Sequence, residues 1–390
     1  MPPKKAAKGG GEPDPRADPE MFLKQYKQFC KAINIAPWEQ VEAAFSDDEE
    51  ANPGGWKQEF IIYPKDPHDL DEARLGPGGC RALCTSILGT GAGLTSPMEN
   101  GSKWELGPGK VLSGGTKERP SFMVSPFIDV KAMRIWWSRI GDEGAAAIAE
   151  LLRLGGAEVA FTFLELWDNE IGQSGCLALG KALSTGWNRS LLTLKLDYNL
   201  RIGSDGVAAL CRGLRTNRTL RQLHLTYCGI KSDGAAALAD MLSSEKLGIQ
   251  QLFLKGNAIG DEGLSYLSQG LRMNRSLLRL ELQGNMIGEN PDNTSAITEF
   301  SIALSEPGPV LSHVDLDDNS LAEPEVTDIL IECLKPKDLS DPEGIKRGSN
   351  PRIKIFQVTS LLEKATFELL NFEGGAKGGG KKGKKGKKKK

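Results

Sequence analysis

Between about Val130 and Leu334 the apolar residues repeat one phrase with two periods. A short stretch alternates apolar and polar positions, and a longer stretch follows with apolar residues three and four apart. In register, the alternating stretches read Met133-Arg-Ile135, Leu164-Glu-Leu166, Leu194-Lys-Leu196, Leu223-His-Leu225, Leu252-Phe-Leu254, Leu280-Glu-Leu282 and, in a worn last copy, Val314-Asp-Leu316. Each leads to a small polar residue, at 138, 169, 199, 228, 257, 285 and 319, so the steps are 31, 30, 29, 29, 28 and 34 residues. Period two predicts a short strand with one buried face. The half after it, as in Ile140-Gly-Asp-Glu-Gly-Ala-Ala-Ala-Ile148-Ala-Glu-Leu151-Leu152, predicts a helix. Asp142-Glu143 and Asp261-Glu262 fall in first turns, where acidic side chains suit the helix dipole. The Asn, Cys or Ser after the strand is expected to turn inward and satisfy backbone groups as the chain leaves the sheet.

Neither half can bury its apolar face alone, so the units must stack. L-x-x-L-x-L-x-x-N/C-x-L at this period is the pattern of leucine-rich repeats, and the long helical half resembles their ribonuclease-inhibitor-like subfamily. The expected fold class is α/β: a leucine-rich repeat solenoid, a right-handed horseshoe with a parallel β-sheet of at least seven strands on the concave face. Helices cover the convex face, with helical caps and disordered basic termini. Asn169, Asn199, Asn257 and Asn285 should point into the stack with their amides hydrogen-bonded.

The flanks set the domain boundaries. Residues 1–18 are Pro, Gly, Lys and acid without periodicity and are expected to be disordered. Residues 19–59 form an N-terminal helical segment of two short helices, with Pro37 in the first turn of the second. Residues 60–127 read as a degenerate capping repeat. In it Leu75-Gly76-Pro-Gly-Gly79-Cys-Arg-Ala82-Leu83 aligns with the Ile140 phrase, and a glycine-rich loop is inserted at 89–126. The repeats occupy 128–335. Residues 336–373 hold a linker and one amphipathic helix across Leu361–Leu370 that caps the open end, and 374–390 are Gly/Lys low complexity.

Composition narrows the chemistry. The net charge of −2 hides three lysines in the first ten residues and nine more in 377–390; without those twelve the rest carries −14. No apolar run reaches 18 residues, and the basic start lacks an apolar core, so neither a spanning helix nor a secretory signal is expected. Seven scattered cysteines suit a reducing compartment. Cys80-x-x-x-Cys84 has no second ligand pair at metal-site spacing, so metal and cofactor are both expected absent. Asn188-Arg-Ser190, Asn217-Arg-Thr219 and Asn274-Arg-Ser276 match a glycosylation sequon, but they recur at one register before the strand and read as repeat punctuation. The glycine runs at 89–93 and 107–110 complete no phosphate-loop motif. Three histidines, at 68, 224 and 313, and no catalytic motif point away from an enzyme.

Residues between and after the two strand leucines face away from the core. These are Arg134 and Trp136, Glu165 and Trp167, Lys195 and Asp197, His224 and Thr226, Phe253 and Lys255, Glu281 and Gln283, and Asp315 and Asp317. Trp136 and Trp167 are expected to stack on neighbouring strands as a partner-binding hot spot. The competing expectation is that the 89–126 insert or an N-terminal helix covers them. The far end, with Asp315, Asp317 and Asp318, is acidic. Lys381, Lys382, Lys384, Lys385, Lys387, Lys388, Lys389 and Lys390 form a polyanion-binding tail, without the aromatics that stack on bases.

The expected function is a non-enzymatic protein–protein interaction scaffold. The Met-Pro-Pro-Lys-Lys opening and Gly/Lys ending resemble those of ciliary and flagellar proteins. The repeat type resembles axonemal scaffolds such as the leucine-rich-repeat subunit of the nexin–dynein regulatory complex. That resemblance implies a cytoplasmic, axonemal protein whose lysines meet the acidic tails of tubulin, with no specific nucleic acid and no membrane insertion. The alternative is a GTPase-activating or regulatory repeat protein of nucleus or cytosol, similar to the Ran activator, although that family ends in an acidic tail. A nucleotide-binding immune receptor would need a phosphate loop, and a ribonuclease inhibitor would be richer in cysteine.

Overall fold

Alternating residues along the repeats place every second side chain inside. Leu164, Leu194, Leu223, Leu252 and Leu280 are all at most 1% exposed, and the next inward column, Leu166, Leu196, Leu225, Leu254 and Leu282, is fully buried. The computed structural model describes residues 14–89, 126–334 and 352–373, apart from positions 47, 49, 51, 70, 157, 185, 291, 307 and 308. Residues 90–125 of the expected loop 89–126, residues 335–351, which hold the expected linker, and the lysine tail lie outside the described residues.

The strands are β1 (Glu59–Ile62), β2 (Ala132–Ile135), β3 (Phe163–Glu165), β4 (Thr193–Lys195), β5 (Gln222–His224), β6 (Gln251–Phe253), β7 (Arg279–Glu281), β8 (His313–Asp315), β9 (Ile355–Gln357) and β10 (Phe372–Glu373). They form one 10-stranded sheet in sequence order. Strands β1 to β9 are parallel, and β10 returns antiparallel to β9. Register is strict: Leu164, Leu194, Leu223, Leu252, Leu280 and Val314 are direct partners from strand to strand.

Helices α1 (Pro19–Ala32) and α2 (Glu39–Ala43) precede the sheet, and α3 (Gly76–Leu88) follows β1. The convex layer continues with α4 (Gly141–Gly155), α5 (Gln173–Leu183), α6 (Gly203–Leu214), α7 (Ser232–Leu242), α8 (Gly260–Met273), α9 (Ser295–Ser305) and α10 (Pro324–Leu334), each packed on the next. A last short helix, α11 (Lys364–Leu370), lies between β9 and β10. Alternating helices and parallel strands with this register make the chain a leucine-rich repeat solenoid.

Two asparagine ladders hold adjacent repeats together. The Nδ2 of Asn257 donates to the Leu225 carbonyl at 2.9 Å and the Leu254 carbonyl at 2.7 Å, and its Oδ1 accepts from Cys228 and Ile230 N–H groups, both at 3.0 Å. Asn199 does the same for Asn169 and Ile171, and Asn319 for Asn285 and Ile287. Each therefore satisfies backbone groups of its own repeat and the one before, which would otherwise be buried without partners. The sequon asparagines make the second ladder. Asn188, Asn217 and Asn274 are at most 4% exposed and donate to the carbonyls of Leu152, Leu183 and Leu242, in the last turns of α4, α5 and α7 one repeat earlier. Such side chains cannot accept a sugar in the folded chain.

The ends of the stack are covered differently. At the N-terminal end α1 packs on α3, with Gln25 Nε2 donating to the Ser86 carbonyl at 2.6 Å. Phe22, Phe45, Trp56, Phe60 and Phe127 meet in one aromatic cluster beside it. Just past the end of β1, the amide of Gln40 pairs with the Tyr63 N–H at 2.8 Å and carbonyl at 2.9 Å, as a strand would. Pro37 lies outside α2, two residues before its first residue, rather than in its first turn.

At the C-terminal end the expected helix across Leu361–Leu370 forms only over Lys364–Leu370, and Leu361 is 81% exposed. Asn371 accepts from the Val358 N–H at 2.8 Å, and this folds the segment back so that β10 can pair with β9. The end of the stack is thus closed by two further strands and a short helix.

Candidate functional site: the concave face

Outward-facing residues form three columns across the sheet. The middle column contains Ile61, Arg134, Glu165, Lys195, His224, Phe253, Glu281 and Asp315. Its N-terminal half is zipped by charge. Arg134 pairs with Glu59 and, at 2.6 Å, with Glu165, and Lys195 lies 3.5 Å from the same Glu165. Beneath them is Phe163, in the column before the first leucine, with the Arg134 guanidinium 4.2 Å and the Lys195 ammonium 5.4 Å from its ring centre. Of the expected partner-binding residues, Arg134, Glu165 and Lys195 are therefore largely engaged with one another.

Farther along, His224 stacks on Phe253 with centroids 3.8 Å apart. Burial, then the charges of Lys195 and Arg279, pull the His224 pKa down to about 4. The imidazole is neutral at pH 7, so its 4.0 Å approach to Asp197 is not an ion pair there. Burial also raises the pKa of Asp197, whose carboxylate accepts from the Thr226 N–H at 2.8 Å. Lys255 and Asp317 are exposed. Asp315 accepts from Gln283 at 2.6 Å and has its pKa raised by burial.

The tryptophans are arranged differently from the expected stack. Trp136 lies against Tyr63, at 6.1 Å, while Trp167 packs on Trp137 at 4.4 Å. The series continues from Trp167 to Tyr198 at 5.1 Å and from Tyr198 to Tyr227 at 4.9 Å. Trp136 and Trp167 are half-buried beside these rings, and α1 packs on α3; of the insert expected to cover them, residues 90–125 lie outside the described residues. The Nε1 of Trp136 is buried with no hydrogen-bond partner.

This aromatic rail rests on an unusual backbone. The residue just before the inward Asn, Ser or Cys is left-handed in all seven repeats: Trp137 at φ 47°, Asp168 at 49°, Tyr198 at 64°, Tyr227 at 51°, Gly256 at 67°, Gly284 at 60° and Asp318 at 57°. Glycine accepts that conformation freely, while bulky side chains there are outliers. The rail ends where glycine takes over, for a Cβ at 256 would overlap the Tyr227 ring. Trp137, Tyr198, Tyr227 and Phe163 escape a reading of the strand leucines alone. Aligning the repeats at the glycine slot, and extending the alternation one residue back, would have found them.

Other chemical groups do not converge. Burial pushes the thiol pKa of Cys30 to about 11 and those of Cys176 and Cys333 to about 12, and the seven cysteines are buried and unpaired. Cys80 and Cys84 sit inside α3. Among the described residues no three His, Cys, Asp or Glu side chains gather as a metal site, and no helix is long and apolar enough to cross a membrane. His313 accompanies Ser312 at 2.7 Å on β8, remote in strand order from His224 on β5.

Comparison with known proteins agrees with the fold at the level of repeats. The Leucine Rich repeat family profile matches residues 188–211, 216–239 and 249–268. Leucine-rich repeat-containing protein 45 of Gallus gallus is 37% identical over 79 residues, which is 20% of this chain and 12% of that protein. Ribonuclease inhibitor of Mus musculus is 29% identical over 105 residues, 27% of this chain and 22% of that protein. Among solved structures, the actin-binding site 2 of leiomodin-1 aligns at 17% identity with a TM-score of 0.33, over 41% of this chain and 88% of that one. The C-terminal domain of Caenorhabditis elegans tropomodulin aligns at 14% identity with a TM-score of 0.33, over 44% of this chain and 90% of that one. The chain carries leucine-rich repeats, similar over part of its length to those of ribonuclease inhibitor.

Proposed function

We propose that this chain is a non-enzymatic interaction scaffold that grips a partner protein with the N-terminal half of its concave face. One observation carries the reading: bulky aromatic residues occupy left-handed backbone positions along that half, where glycine serves in two later repeats. Strain at a backbone position points toward function when packing alone does not call for it. The rings of Trp137 and Tyr227 stand half-buried and that of Tyr198 exposed on a surface, where aromatic side chains supply much of an interface's binding energy.

The assembly we propose is microtubule-based, an axoneme of a cilium or flagellum, with the lysines of 377–390 reaching acidic polymer. The support for this is the composition of the two basic ends and the repeat type. Photo-crosslinking tests the grip. A benzophenone amino acid at Tyr198 or Thr226 should give a discrete adduct in extract from the source cell, and Lys181 on α5, exposed on the convex side, should not. Equal adducts from both sides, or none from the concave positions, would remove the concave face as the binding surface.

A further inference from the structure

The N-terminal end of the concave face holds an open pocket of about 390 Å³, walled by the rings of Trp136, Trp137, Trp167 and Tyr198. Glu165 and Asp197 line it as well. Any occupant assigned to this pocket rests on the scaffold reading, in which the concave face grips a partner protein.

The two carboxylates differ. Glu165 is neutralised by Arg134 at 2.6 Å and approached by Lys195 at 3.5 Å. Asp197 accepts from the Thr226 N–H and side chain and feels the Lys195 charge, which is shared with Glu165, while the imidazole facing it is uncharged at neutral pH. Next in the chain to Trp167, Asp168 has a raised pKa, through burial first and then the Glu170 charge. Among the lining carboxylates and the charges linked to them, the acids Glu59, Glu165 and Asp197 outnumber the bases Arg134 and Lys195.

Indole and phenol faces are the negative ends of their ring quadrupoles and attract a cation held over them. An anion would meet both those faces and the excess carboxylate. A neutral aromatic would desolvate Asp197 further and bring it no charge in return, which is costly. A long basic side chain satisfies both elements, since its apolar stem lies along the rings while its charge reaches the acid. The Trp136 indole N–H, buried without an acceptor, adds a donor that the partner's peptide carbonyl could take once the ring turns.

We infer that the pocket receives one arginine or lysine side chain of the partner protein, gripped by Trp136, Trp137, Trp167 and Tyr198 with its charge facing Asp197. The surface would then recognise a protruding basic residue, with the zipped charges of Arg134, Glu165 and Lys195 forming a rigid floor beside it.

The test uses the full chain with ¹⁵N-labelled tryptophan. The peptides Ac-Gly-Arg-Gly-NH₂, Ac-Gly-Lys-Gly-NH₂, Ac-Gly-Gln-Gly-NH₂ and Ac-Gly-Glu-Gly-NH₂ are titrated while the indole N–H resonances are followed. The Arg or Lys peptide should shift the Trp136, Trp137 and Trp167 signals saturably, and the Gln and Glu peptides should not. Asp197→Asn should weaken the basic peptide about tenfold, the scale of a desolvated cation contact, without lowering the melting temperature. Lys181→Gln should change nothing. Equal shifts from the Gln peptide, no saturable shift from either basic peptide, or an unaltered Asp197→Asn would overturn the assignment. Binding seen only after deletion of residues 377–390 would assign the pocket to the chain's own lysines and remove the partner as occupant. If the peptides fail but crosslinking at Tyr198 still captures a partner, this assignment falls and the scaffold stands. Loss of both results removes both.

Discussion

Tyr227 shows how a single position can trade stability for surface. Its left-handed φ of 51° costs about 1 kcal/mol or more against glycine. Its contact with Tyr198 at 4.9 Å returns about 0.5–1.5 kcal/mol. Tyr227→Gly should therefore leave the unfolding free energy from urea titration within about 1 kcal/mol of the parent, while weakening crosslinking from the concave face. The reverse change next door is unfavourable twice over, because Gly256→Ala adds strain at φ 67° and overlaps the Tyr227 ring. It should destabilise by about 1–3 kcal/mol. His224 carries a pH signature. Its folded pKa, about 4, lies below the usual 6.5, because the buried ring resists charging. The stabilisation from keeping it neutral is complete above about pH 6.5 and is lost as the pH falls toward 4. His224→Gln should flatten the fall in melting temperature between those values. An equal fall in both proteins would place the acid sensitivity elsewhere.

At the level of elements, adjacent repeats are tied by groups that a one-repeat reading assigns locally. Asp142 sits in the first turn of α4, where its charge suits that helix's own dipole. In the fold its Oδ1 also accepts from the Gly172 N–H at 2.6 Å and the Gly175 N–H at 2.8 Å, at the start of α5 in the next repeat. Asp261 likewise accepts from Gly288 at 2.6 Å. Asp142→Ala should thus cost about 1–2 kcal/mol, as loss of a helix cap does, and hydrogen exchange should quicken in α5 before α4. Faster exchange confined to α4 would return the residue to its local role. The strands and the inward asparagines were readable because each letter recurs at a fixed step and each copy corroborates the others. The rail was not, since a φ sign leaves no mark on Trp137 or Tyr198 until they are aligned with Gly256 and Gly284. Strands β9 and β10 were hidden for a related reason. Ile355-Phe-Gln has no recognisable repeat after it, and Leu361 and Leu362 mimic the start of a helix that begins only at Lys364.

On the scale of the whole molecule, the charge is divided. Residues 11–376 carry −14, and the lysines outside them carry the compensating positive charge. A surface this acidic is repelled by an acidic polymer such as the tubulin tails of a microtubule, so in the proposed assembly the body cannot be the electrostatic anchor. Nine lysines between 377 and 390 can be, because each neutralised charge releases a counterion and the gain grows with their number. The concave face and the lysines would then serve different partners: one shaped contact selective for a protruding basic residue, and one salt-sensitive contact for polyanion. Deleting 377–390 should abolish co-sedimentation with microtubules at low salt while leaving the melting temperature and the Tyr198 crosslink unchanged. Raising salt from about 50 to 200 mM should release the intact chain to a similar extent, since that range weakens multi-charge contacts steeply. Undiminished sedimentation of the shortened chain would move polymer binding onto the horseshoe itself. Absence of binding by the intact chain, together with a nuclear location for the tagged protein, would replace the axonemal reading with the nuclear one.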